Sequence, residues 1–280
     1  MAGKLGQVLT VLAVIGGGWR LAQGQQRKSL PDKSGYTLLN PTPPQSMREM
    51  QTDRPDKTDS PFTIDAGHLQ VESSLLDYLH DNAAQQTSLG ITELRLGILN
   101  QLELSLFVDC YIHEINGPSD HRSGYGDTWI GSKINFWGNN EGKTAMGLIT
   151  FLKLPTNQDD LGNHSIEGYI GLPIDFKLPH GFDLPFESVI AFNRNAFADG
   201  YHAEFANSAA LHHDLLKNVD GFVELWTNVS TEEHTSWQAT FDFGVQWTVV
   251  KNVAIDVDAF IGLTDSAPDY ELLVGLSFRL

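Results

Sequence analysis

The chain is poor in charge, in cysteine and in long hydrophobic runs, and each shortage removes a class of protein. Only 19% of its 280 residues are Asp, Glu, Lys or Arg, against 41% hydrophobic, which suits many strands and turns better than a helical bundle. The single cysteine, Cys110, excludes an intramolecular disulfide framework. No Cys/His spacing matches a zinc site, so neither staples nor metal would hold the fold. Beyond the extreme N-terminus no apolar run reaches the roughly 18 residues that a membrane-crossing helix needs. Mean hydropathy is −0.19, a value equally compatible with strands that alternate lipid-facing and lumen-facing residues. No heptad pattern, phosphate loop, dinucleotide fingerprint or Gly-x-Ser-x-Gly elbow appears.

What the chain does contain is turn and strand chemistry, with 26 Gly, 12 Pro, 15 Phe, 7 Tyr and 6 Trp. Residues 1–24 read as a signal peptide, with Lys4 as the positive region, Val8 to Ile15 as the apolar core and Ala22-Gln23-Gly24 as the cleavage site. Its loss removes Lys4 and Arg20 and takes the formal charge from −17 to −19, which speaks against nucleic acid as a partner. Residues 25–67 form a Pro-rich arm in which Pro41, Pro43, Pro44, Pro55 and Pro61 deny regular helix or central strand.

From residue 68 to 280 the pattern has a period of two. Leu102, Leu104, Leu106, Val108, Cys110 and Ile112 alternate with Glu103, Ser105, Phe107, Asp109, Tyr111 and His113. Similar alternation surrounds Glu167, Asp175, Asp256 and Asp258. About twelve segments are expected, at 68–79, 87–98, 101–113, 126–137, 143–154, 165–178, 181–194, 201–214, 219–230, 236–248, 252–263 and 269–280. They are about twice the usual strand length and near the 9–11 residues of a tilted bilayer crossing. Short links alternate with longer ones, the longer set including 80–86, as in an up-and-down antiparallel transmembrane β-barrel with both termini on the periplasmic side. Trp237 and Trp247, ten residues apart on one face, project to roughly 25 Å along the membrane normal, the height between aromatic girdles.

Asp53-Arg54-Pro55-Asp56, Ser60-Pro61-Phe62-Thr63, Gly67 to Glu72, Gly126-Asp127-Thr128, Lys153-Leu154-Pro155-Thr156 and Ser165-Ile166-Glu167-Gly168 together resemble an outer-membrane family labelled as meta-pathway phenol-degradation transporters. Where family members commonly carry Pro-Pro-Gly this chain reads Asp65-Ala66-Gly67, and Leu280 stands in place of a terminal aromatic. The resemblance implies a bacterial outer-membrane barrel that moves small hydrophobic or aromatic compounds inward. Its partners would be outer-membrane lipid, a small-molecule solute and, through the last strand, the barrel-assembly machinery.

Under this register the lumen carries Glu103, Asp109, Tyr111, Lys133, Glu167, Asp175, Glu224, Asp242, Asp256 and Asp258, an acidic excess favouring cations and neutral solutes. The same acids and bases could instead pair to fill a narrow interior. Asp53, Arg54 and Asp56 read either as a local turn tied by an Asp–Arg pair or as a latch holding the arm in the lumen. His212 and His213 point to opposite faces of a strand and cannot share a metal, and Asn163-His164-Ser165 lacks a base within reach of a nucleophile. The expectation is therefore no enzyme, no catalytic residue, no metal and no cofactor. Passive solute passage leads, with a non-transporting structural barrel and a secreted β-sandwich binding module as alternatives.

Overall fold

The computed structural model describes residues 32–280 apart from 83, 118 and 197; the signal-peptide reading and the first part of the arm lie outside the described residues. Thirteen strands follow in order: β1 (Leu69–Asp81), β2 (Ala84–Leu99), β3 (Leu102–Ile115), β4 (His121–Gly124), β5 (Thr128–Trp137), β6 (Thr144–Leu154), β7 (Glu167–Lys177), β8 (Phe182–Arg194), β9 (Tyr201–Leu216), β10 (Val219–Ser230), β11 (Gln238–Val250), β12 (Val253–Gly262) and β13 (Tyr270–Arg279). All described pairings between them are antiparallel. β4 and β5 lie one after the other along β3, so they count as one interrupted course and the barrel has twelve. Closure comes from β1 against β13, from Gln70↔Arg279 to His80↔Tyr270. With the last edge paired, no ladder of N–H and C=O groups faces hydrocarbon.

Tight turns are made where the sequence offers asparagine. Asn82, Asn218 and Asn252 have φ of 52°, 65° and 64°, a left-handed conformation that Asn tolerates better than branched residues. The β1–β2 link is two residues long, not the longer loop expected over 80–86. Pairing there continues to Asp81↔Ala84.

The wall is inverted relative to a water-soluble fold. Leu104, Ile170, Val257 and Leu272 are 48%, 46%, 54% and 46% exposed, whereas Arg95, Glu103 and Asp242 are each 0% exposed. Apolar side chains cover the outside and charges fill the inside, which suits a lipid-embedded barrel. Trp237 and Trp247 are both exposed at opposite ends of the β11 course, consistent with two interfacial girdles.

Besides shifts near strand ends, as between Asn135 and Trp137 or Thr248 and Val250, alternation slips in mid-strand at one height on three neighbouring strands. Leu75 and Leu76 are both exposed between inward Ser74 and Asp77, where the β1–β13 register shifts. On β2 the slip falls at Gly90, whose φ is +70°, so Ser88 is buried and Leu89 exposed. On β3 Asp109 lines an interior cavity, while Tyr111 is 42% exposed and Ile112 only 6% exposed. Tyr111 pairs with exposed Leu89 and Ile112 with buried Ser88. Tyr111 is thus on the outer wall, contrary to its expected place in the lumen, and Ile112 is inside. An irregularity adds one residue to the count, and every side chain beyond it changes face.

Val257 is at mid-strand on the lipid face, so Val257→Arg should cost about 2–4 kcal/mol. Denaturant titration of the folded fraction in lipid vesicles, followed by heat-modifiable migration, checks this. Unchanged stability would mean the outer face is misassigned.

Candidate functional site

Inward residues of an antiparallel barrel converge on one axis, and here the arm supplies their partners. A short 3-10 turn at Pro44–Ser46 precedes an irregular segment that makes hydrogen bonds around the interior. Ile64 N donates to Glu103 at 2.6 Å, Asn135 Nδ2 to Pro61 O at 2.8 Å, Asp59 N to Glu187 at 3.1 Å and Lys57 N to Glu224 at 2.9 Å. Thr58 Oγ1 donates to Ser208 at 2.8 Å and also contacts Glu224. At the rim, Asp65 gathers Lys33 at 3.0 Å, Arg48 at 3.5 Å and Arg279 at 3.7 Å. Asp65 thus ties three cations together at the mouth.

The densest knot surrounds Arg95 on β2. Its guanidinium reaches Glu72 at 2.7 Å and Asp53 and Glu103 each at 2.9 Å, and it donates to Phe62 O at 3.0 Å. Lys133 on β5 sits 2.5 Å from Asp53. Burial alone would raise the Asp53 pKa, but Arg95 and Lys133 outweigh it and hold the carboxyl below the usual range. Asp53 therefore pairs with two wall cations and not with its neighbour Arg54.

Arg54 turns the other way. It grips Asp256 through Nη2 at 2.6 Å and Nε at 3.3 Å, approaches Asp258 at 3.7 Å and donates to Ser74 at 2.6 Å. The paired bonds use the planar fork of arginine. Burial would ease a proton off this guanidinium, but Asp256 and Asp258 hold it more firmly than usual. Gly275 makes room, since a Cβ there would overlap both the guanidinium and Asp256. Asp56 meets His212 at 3.0 Å, and His212 also bonds Asp220 at 2.9 Å. His213, on the other face, stacks on Phe182 at 4.2 Å. Lys57 lies 3.3 Å from Asp242, with its ammonium over the rings of Phe260 at 4.4 Å and Trp226 at 4.9 Å.

Two cavities flank this arm segment. One, of about 330 Å³, is bordered by Gln51, Arg54, Asp56, Asp175, His212 and Gln246 near the short-turn end. The other, of about 400 Å³, lies among Phe107, Trp129, Phe151 and Tyr169, with Glu93, Asp109, Asp59, Asp53 and Lys133 completing its lining. Phe151 and Tyr169 stack at 5.3 Å and Trp129 meets Tyr169 at 6.1 Å. Burial, with Glu187 and Asp53 nearby, raises the Asp59 carboxyl well above its ordinary value.

Of the residues expected to line the lumen, Glu103, Lys133, Glu224, Asp242, Asp256 and Asp258 are brought against the arm. Asp109 and Asp175 border cavities, and Glu167 pairs with Lys153 at 2.5 Å at the outer end. Tyr111 is excluded from the lumen by the slip in alternation. Arg95, Lys57, Trp129, Phe151 and Gly275 escaped sequence reasoning. Arg95 and the aromatics share the inward parity of their strands, whereas nothing local marks Gly275. His164 bonds Asp160 at 2.8 Å while Ser165 Oγ donates to Asn163 O at 3.1 Å, so the two do not form a nucleophile–base pair.

Removing Arg95 would strand Asp53, Glu72 and Glu103 together. Arg95→Ala should destabilise the folded barrel by about 3–5 kcal/mol, the cost of unpairing buried charge. Denaturant midpoints in detergent micelles read it, and a loss below about 1 kcal/mol would contradict the network.

The likeness to solved structures agrees with this geometry. The COG4313 outer membrane channel from Pseudomonas putida F1 is 13% identical with a TM-score of 0.58, covering 82% of this chain and 100% of that one. The NanC porin is 8% identical with a TM-score of 0.54, covering 76% of this chain and 100% of that one. At these identities the likeness establishes the fold. No curated protein matches the sequence. Residues 52–280, from the start of the arm's charged segment to the last residue, match the family described as "Putative MetA-pathway of phenol degradation", and the chain, an outer-membrane β-barrel, belongs to that family.

Proposed function

We propose that this protein lets small solutes cross the outer membrane passively through its lumen, with the arm as the gate and Asp53, Arg54 and Asp56 as its latch. The observation that carries this reading is the pair of cavities separated by the arm segment at residues 53–61, which borders both. Rearrangement of that segment would widen the way between them while the hydrogen-bonded wall stays closed. Acidic residues along the path disfavour anions. The family description, with its reference to phenol degradation, makes small aromatic compounds the first solutes to test.

The latch is strong enough to close and weak enough to open. A charge-assisted hydrogen bond contributes about 1.5–3 kcal/mol, so losing the Arg54–Asp256 contact shifts an open–closed balance by roughly one to two decades. The reading is of a conduit; at His164 and Ser165 each side chain bonds elsewhere, so that pair offers no nucleophile and base. Its strand β13 would be the segment offered to the barrel-assembly machinery, and its acidity keeps nucleic acid away. The number of arm contacts favours one second reading, a permanently filled structural barrel.

Planar-bilayer recordings separate the two. Deleting residues 25–60, or Arg54→Ala, should raise the open probability of purified, heat-modifiable protein by roughly tenfold or more. Unchanged conductance in a correctly assembled deletion variant would discard the gate.

A further inference from the structure

The chamber beside the arm has the makings of a site for a particular charge class. Its walls follow from register: Glu93 lies opposite Phe107, Phe107 opposite Trp129, and one step along Phe151 lies opposite Tyr169. Inward-facing positions on four adjacent strands therefore place four aromatic rings side by side. Gly131, next to Phe151 across the β5–β6 pair, carries no side chain, and a Cβ there would run into the Phe151 ring. The ring can lie against the wall and leave the space in front of it open.

Carboxylates project into the same space. Asp59 comes from the arm, Glu93 from β2 and Asp109 from β3. Among the described residues none of these three carboxylates makes an ion pair. The nearby cations are already committed, Lys133 to Asp53 at 2.5 Å and Arg95 to Asp53, Glu72 and Glu103. The chamber thus combines aromatic faces, which carry negative potential, with acids that share no ion pair among the described residues.

The same barrel shows what such a combination holds. Lys57 places its ammonium over Phe260 and Trp226 and beside Asp242. That is an ammonium ion seated on two rings and one carboxylate, supplied by the chain itself. The chamber repeats the chemistry with more rings and more acids, and the ammonium in its own lining, Lys133, is taken up by Asp53.

We infer that the chamber between Phe107, Trp129, Phe151 and Tyr169 is a binding stop for small organic ammonium ions, aromatic amines above all, in preference to neutral aromatics and against aromatic acids. An amine enters with its ring stacked among the aromatic side chains and its charge directed at Glu93, Asp109 and Asp59, supplying a positive partner for the Asp59 carboxyl, which burial leaves well above its ordinary value. A volume of about 400 Å³ holds a single substituted benzene ring. A carboxylate-bearing ring of the same shape meets repulsion in a partly desolvated space, where it is strongest. This inference rests on the solute-passage reading and narrows it to a charge class.

Benzylamine, benzyl alcohol and benzoate are nearly isosteric and differ in charge at neutral pH. In calorimetric titration of the full chain folded in detergent, benzylamine should bind roughly tenfold more tightly than benzyl alcohol, and benzoate should not bind. Glu93→Gln combined with Asp59→Asn should remove the preference for the amine, and Trp129→Leu should weaken amine and alcohol alike. Equal or weaker binding of benzylamine than of benzyl alcohol overturns the inference, as does a preference that survives the double substitution. Flux of the same three compounds into liposomes reads the passage function separately. Flux without charge preference in binding leaves that function standing and removes the ammonium site, whereas selective binding without flux does the reverse.

Discussion

Hydrocarbon has no partner for an unpaired backbone amide, and the whole structure follows from that constraint. The strands must close on themselves, as β1 and β13 do, because an open edge in the membrane costs several kcal/mol per group. Once closed, alternate side chains must face lipid on one side and a narrow interior on the other. The apolar set goes out, and what remains is a polar interior with an excess of acids.

That excess needs partners. An interior of Glu72, Glu103, Glu224, Asp242, Asp256 and Asp258 has few wall cations, of which Arg95 and Lys133 serve one side only. The arm brings Arg54 and Lys57 to the opposite side and backbone N–H donors to Glu72, Glu103, Glu187 and Glu224. It also contributes Asp53, which links Arg95 with Lys133. Arm and wall are therefore complementary in charge around the ring, and a Pro-rich segment unsuited to strand or helix satisfies them with its exposed backbone donors. Acids on the chamber side remain outside this compensation, and solute recognition can be built there.

Tyr111 and Phe107 illustrate how far parity reasoning carries. Both fall in the polar phase of one strand, four residues apart, yet Phe107 lines a cavity and Tyr111 faces lipid. The difference is made by irregularities on β1 and β2 as well as on β3, which act together because paired strands cannot slip independently. Gly90 is the visible trace in the sequence, but a glycine in a strand marks a bulge, a bend or a close approach equally well.

The architecture is legible in the sequence: a period of two sustained over segments long enough to cross a bilayer admits few structures other than a closed antiparallel barrel. The sequence also determined which acids face inward on regular strands, because parity is a local property. The partners, by contrast, depend on how distant strands come together. Arg54 and Asp256 are 202 residues apart in the chain, and whether Arg54 reaches Asp53, Asp56 or a distant strand depends on how twelve strand courses are arranged around one axis. The aromatic chamber was likewise set by register, since Phe107, Trp129, Phe151 and Tyr169 belong to four strands whose alignment no single segment encodes.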